Sequence, residues 1–137
     1  MPETKASGTL LIVEDEDDVR SMIANHLRHE GYQVLEAASG PQAFSLATSH
    51  TGTIQLLLVD VLLPGMKGPE IAAGIAKERP GVKVLMMTGY DTKVLASLGV
   101  SSVDPCLLIK PFGLENLSRR VRQMLEPAAD PSSGSTP

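Results

Sequence analysis

The strongest constraint on this chain is an alternation. Five short apolar runs, at residues 9–13, 32–36, 54–59, 82–87 and 106–109, are each followed by a stretch of different periodicity. The run at 54–59 is almost wholly apolar, which is how a central parallel strand covered on both faces reads. Between the runs the spacing turns helical. Over 16–30 the apolar positions Val19, Met22, Ile23 and Leu27 recur on one helical face, and Gly31 supplies a stop. Residues 40–50 carry Phe44, Leu46 and Ala47. Residues 69–79 open with a proline, where a missing N–H costs little. Gly74 within that helix is expected to cost about 1 kcal/mol relative to Ala. A short helix is expected over 91–98, and a last one over 113–125 with Leu114, Leu117, Val121 and Leu125 on one face. Five strand–helix units require right-handed crossovers, and so predict an α/β fold, a parallel five-stranded sheet wound on both sides by helices.

In such sheets, ligand chemistry gathers at the carboxyl ends of the strands. The first run leads into Glu14 and Asp15, the third into Asp60, the fourth into Thr88, and the fifth into Lys110 followed by Pro111. The second ends at Glu36, which stands apart from the group. Three converging carboxylates repel one another and need a countercharge. A hard cation with oxygen ligands meets that need, and Mg²⁺ suits a site with few carboxylates and several waters. Lys110 adds a second positive charge. Cations and a hydroxyl around a central carboxylate are what phosphoryl transfer requires. Asp60, central by strand order, is the carboxylate able to act as nucleophile and form an acyl phosphate. Asp17 and Asp18 fall in a first helical turn, where their work is to offset the helix dipole.

Composition narrows the classes of function. At 137 residues the chain is one domain, taken as 9–126, with a flexible leader at 1–8 and a flexible tail or linker at 127–137 (PAADPSSGSTP). A net charge of −4, 3% aromatics and no Trp argue against direct nucleic-acid binding. The single cysteine, Cys106, excludes an internal disulfide and a cysteine-based zinc cluster. No apolar run approaches the roughly 20 residues of a membrane helix. No signal-peptide pattern stands at the start, so a cytoplasmic location without membrane insertion is expected.

These residues carry a family resemblance. LLIVEDE at 10–16, LLLVDVLLPGMKG at 56–68, VLMMTGY at 84–90 and LIKPF at 108–112, in this order, resemble the receiver domain of two-component response regulators. The resemblance implies a flavodoxin-like (βα)5 fold with strand order 2-1-3-4-5. It implies that Asp60 takes a phosphoryl group from a phosphohistidine on a histidine kinase or histidine phosphotransfer domain. Glu14, Asp15, Asp60 and the backbone carbonyl of Val61 would hold Mg²⁺. Thr88 would follow the phosphoryl group, Lys110 would contact one of its oxygens, and Pro111 matches a proline that is usually cis. A downstream protein partner would read the surface of the fourth helix, fifth strand and last helix. Such a domain promotes one transfer to itself and is not a turnover enzyme. The stretch 89–111 and the linker-like tail also resemble receivers at the C-terminus of hybrid sensor kinases.

Several positions depart from the common pattern. Glu14 stands where many members have Asp, and Lys67 where an acid is common. Leu107 replaces the aromatic whose ring usually reports the switch. The resemblance implies that Leu62 and Tyr90 would flank the path of the attacking water, and neither is a carboxylate or amide that could orient it. The acyl phosphate is therefore expected to be long-lived; rapid loss from purified protein with Mg²⁺ at neutral pH would refute this. Two other readings stand beside the active receiver. A pseudo-receiver would keep the fold without phosphorylation, against the complete acidic set. A phosphatase with an Asp nucleophile would usually need an acid–base Asp where Leu62 stands, and a cap domain. His26 reads as a partly buried, hydrogen-bonded core residue, His29 and His50 as surface residues, and Arg20 as a solvated helix charge with no part in the site.

Overall fold

The computed structural model describes residues 8–63, 65–88, 107–109 and 113–125. Its elements are β1 (Thr9–Val13), α1 (Asp17–His29), β2 (Gln33–Ala37), α2 (Gly40–Ser49), β3 (Leu56–Asp60), β4 (Leu62–Leu63), β5 (Met66–Lys67), α3 (Gly68–Glu78), β6 (Lys83–Thr88), β7 (Leu107–Ile109) and α4 (Leu114–Leu125). The expected helix over 91–98, Tyr90, Cys106, Lys110 and Pro111 lie outside the described residues. So do residues 1–7 and 126–137, which hold nearly all of the expected leader and tail.

Five strands form one sheet in the order β2-β1-β3-β6-β7, and every pairing is parallel. Counted without the short β4 and β5, this is the expected order 2-1-3-4-5. Strand alternation sorts the core into two layers. Leu10, Ile12, Leu56, Leu58, Leu85 and Met87 face α1 and α4, where Ile23, Leu27, Leu117 and Val121 meet them. Leu11, Val13, Leu57 and Val59 face α2 and α3, with Ala43, Ala47, Ile71 and Ile75. All residues of β1 and β3 are buried, as a doubly covered sheet demands.

The helix ends follow their local chemistry. Gly31 takes a positive φ of 115° directly beyond α1, and its N–H donates to the Arg28 carbonyl at 3.0 Å. Ser39 caps α2 by accepting from the Gln42 N–H. Arg79 at the end of α3 donates from Nε to the Ala47 carbonyl at 2.9 Å and from its terminal nitrogens to the His50 and Gly52 carbonyls. One guanidinium thereby covers the carbonyl end of α2 and the loop after it. At the edge strand β2, Arg28 Nη2 donates to the Val34 carbonyl at 2.9 Å, while Arg28 Nη1 pairs with Glu36 at 2.9 Å.

Three sequence expectations change. Met22 is 48% exposed rather than on the buried face. The buried residues of α1 are Ile23, Ala24 and Leu27, and at 3.6 residues per turn Met22 lies well round the helix from their centre. His26, near the edge of that face, shares a 2.7 Å hydrogen bond between its Nε2 and Ser118 Oγ on α4, as expected of a partly buried histidine. Next, a short hairpin follows β3, where the apolar runs indicated no strand. Leu62–Leu63 pairs antiparallel with Met66–Lys67, and Gly65 supplies a positive φ of 81° at the turn.

Gly74 is the third. A Cβ there would lie 2.6 Å from Cε1 and 2.9 Å from Cζ of Phe44, so the glycine makes room for the ring that joins α2 to α3. Gly74→Ala is therefore expected to lose about 1 kcal/mol in urea denaturation, the overpacking outweighing the helix-propensity gain. Made in a Phe44→Leu background, the same change should be stabilising. A single Gly74→Ala variant more stable than wild type would refute the packing account.

Candidate functional site

The strand register decides which residues meet at the carboxyl edge. Leu10 pairs with Leu56 and Val13 with Val59, so one residue further on Glu14 stands level with Asp60. Asp60 pairs in turn with Met87, and Thr88 with Ile109. Thr88 is thus one step beyond Asp60 on the neighbouring strand, and the residue after Ile109 is Lys110. Neighbouring strands lie about 4.8 Å apart, so Glu14, Asp60 and Thr88 occupy one short arc.

All three are out of solvent. Glu14 and Thr88 are 0% exposed and Asp60 7%. Asp15 is exposed at the rim. Both the main chain and the side chain of Glu14 are held. Its N–H donates to the Ala37 carbonyl at 3.0 Å, which extends the β1–β2 ladder by one rung. Its Oε2 accepts from the Glu16 N–H at 3.2 Å, and its carbonyl accepts from Arg20 Nη1 at 2.9 Å. The Glu14 side chain thus turns back over the start of α1, where partial positive charge favours a carboxylate.

The backbone beyond Asp60 is equally fixed. The Val61 N–H donates to the Met87 carbonyl at 2.8 Å, and the Val61 carbonyl accepts from the Gly68 N–H at 2.6 Å. A Cβ on Gly68 would stand 2.3 Å from the Asp60 carbonyl oxygen and 2.8 Å from the Val61 Cα. Only glycine lets the start of α3 rest against the main chain of the central aspartate. Glu70 Oε1 then accepts from the Lys67 N–H at 3.0 Å and closes the first turn.

Two buried carboxylates in register fit a hard cation. Their carboxylate oxygens are the hard donors such an ion prefers. Asp15 at the rim could serve it from solvent. The Val61 carbonyl accepts from the Gly68 N–H and keeps a second lone pair that it could offer a cation. Among the described residues, no group of three or more His, Cys, Asp or Glu is gathered tightly enough to enclose a metal ion. A cation held here would keep part of its water shell, as Mg²⁺ does. Lys110 lies outside the described residues, and the side chains of Leu62 and Leu107 are likewise not described.

Sequence reasoning missed Arg20. Its side chain is only 15% exposed and holds three partners: Glu14, Asp17 at 2.6 Å and Glu36 at 3.3 Å. The Asp17 hydrogen bond is the main reason its pKa lies above the ordinary arginine value. The available signal was spacing, since Asp17 and Arg20 stand one helical turn apart. Glu36 was set apart from the acidic cluster, and it does turn to Arg20 and Arg28.

The comparisons with known proteins agree with this geometry. The model of the response regulator receiver domain matches residues 10–122. The chain belongs to this family. As a receiver domain, it is a module of two-component phosphorelay signalling. It is 35% identical over 124 residues to the sensor kinase CckA of Brucella abortus, an alignment covering 90% of this chain and 13% of the kinase. It is 33% identical over 117 residues to a cyclic di-GMP phosphodiesterase of Thermotoga maritima, covering 85% of this chain and 31% of that protein. The receiver domain thus spans less than a third of either relative. In three dimensions it resembles the crystal structure of the receiver domain from the hybrid histidine kinase CckA. The TM-score is 0.73 at 40% identity, over 87% of this chain and all of the other. No helix among the described residues is long and apolar enough to cross a membrane.

Proposed function

We propose that this receiver domain accepts a phosphoryl group on Asp60 from a phosphohistidine of a histidine kinase or histidine phosphotransfer domain, in a Mg²⁺-dependent reaction. The observation that carries the reading is the register that sets buried Glu14 level with buried Asp60, with Thr88 one step beyond. An Asp60 carboxylate oxygen attacks phosphorus, the P–N bond to the histidine breaks, and an acyl phosphate P–O bond forms. Glu14, Asp15, Asp60 and the Val61 carbonyl would hold Mg²⁺, which would supply charge neutralisation for the phosphoryl oxygens. Thr88 would donate its hydroxyl to one of those oxygens, and Lys110, at the end of the fifth apolar run, would pair with another. Burial keeps bulk water from the acyl phosphate. A change at Thr88 then passes to the adjoining β7 and α4 surface, where a downstream protein partner reads it without an aromatic at Leu107. The domain works in the cytoplasm, where phosphohistidine donors act.

Beryllofluoride, a mimic of the bound phosphoryl group, tests this directly. With Mg²⁺ present, amide NMR shifts should spread from Asp60 to Thr88 and Lys110 and vanish in Asp60→Asn. A silent spectrum would leave a pseudo-receiver, and turnover of a phosphoester would indicate a phosphatase.

A further inference from the structure

We propose that Arg20 is a positioning residue for the Mg²⁺ site, acting through the Glu14 main chain. The inference rests on Glu14 and Asp15 being metal ligands, as argued above. Glu14 and Asp15 sit between the end of β1 and the start of α1. The Glu14 carbonyl accepts from Arg20 Nη1 at 2.9 Å. The other arms of the same guanidinium reach Asp17 at 2.6 Å and Glu36 at 3.3 Å, so the fork is anchored to the first turn of α1 and to β2. The Arg20 N–H also donates to the Glu16 carbonyl at 2.9 Å, closing the turn from within. One planar group therefore joins the ends of β1 and β2 and the start of α1, with the acidic pair between them. Arginine suits this role because its donors diverge in a fixed plane, whereas lysine offers a single point of charge.

Two opposing effects of Arg20 on Mg²⁺ make the inference testable. As a positive charge near the site, it repels the cation, so charge alone makes Arg20→Ala bind Mg²⁺ more tightly. As a positioning residue, its loss loosens the acidic pair and weakens binding. Asp17 and Glu36 offset most of its charge, so the positional effect should prevail. Mg²⁺ affinity is measured by amide NMR titration without any phosphodonor. Arg20→Ala is expected to bind about tenfold more weakly, the scale of losses seen when a group orienting metal ligands is removed. Arg20→Lys, which keeps the charge but reaches one acceptor, should bind about threefold more weakly. Binding by Arg20→Ala equal to or tighter than wild type would overturn the inference. If Arg20→Ala does not fold, Arg20→Lys decides by the same sign. A wild-type domain that ignores millimolar Mg²⁺ would overturn the metal reading beneath it as well, whereas unchanged binding in the variant alone overturns only the role of Arg20.

Discussion

Asp60→Asn should lower phosphoryl incorporation by at least about 10⁴-fold, the scale seen when a nucleophile is removed and its surroundings remain. The neutral amide has no anionic oxygen to attack phosphorus. The substitution is close to isosteric and Asp60 is 7% exposed, so the fold should persist and the loss should be chemical. The same variant reports on the cation. At a Mg²⁺ concentration about a hundredfold above Kd, wild type should gain about 2.7 kcal/mol of stability. If the lost carboxylate weakens binding tenfold, about 1.4 kcal/mol of that gain remains. Label retained on Asp60→Asn, or undiminished stabilisation by Mg²⁺, would remove Asp60 from the centre of the site.

Gly68→Ala should damage stability and function together. The new methyl would stand 2.3 Å from the Asp60 carbonyl oxygen and 2.8 Å from the Val61 Cα. Neither is the tip of a flexible side chain, so the main chain must move. The 2.6 Å hydrogen bond from the Gly68 N–H to the Val61 carbonyl is lost or lengthened with it. An overpacking cost of about 2–3 kcal/mol follows. Displacing the nucleophile by a fraction of an ångström should slow acceptance by about tenfold or more. Gly113→Ala is the control, since a Cβ there meets nothing within 4 Å. Chemical denaturation and the rate of acyl phosphate formation measure both effects. Equal behaviour of the two variants would mean that α3 does not brace Asp60.

The sequence made the sheet legible because its signal is collective. Burial on both faces forces whole strands to be apolar, and the chemistry must then appear where the apolar run stops. That logic located Glu14, Asp60 and Thr88 at strand ends, and the register brings them level or one step apart. Helix faces were less secure, because a single residue such as Met22 can fit an apolar pattern and still lie outside the contact. The hairpin after β3 was hidden because two-residue strands are too short for periodicity to register. Contacts made at a distance were not legible at all. Nothing local says that Gly74 faces Phe44, that Gly68 faces the Asp60 main chain, or that Arg20 reaches back to Glu14 and across to Glu36. Those pairings exist only once the crossovers are folded.

The arginine that covers the Val34 carbonyl has a consequence for how copies of the domain meet. β2 ends the sheet, and an open edge invites another chain to add its own strand. Arg28 occupies one of the acceptors such a strand would need, and Glu36 holds the guanidinium in place. Charge planted along that border makes β-strand association between copies unfavourable. A phosphorelay module has to meet its partners and let them go, and a guarded edge keeps crowded copies from joining into a continuous sheet.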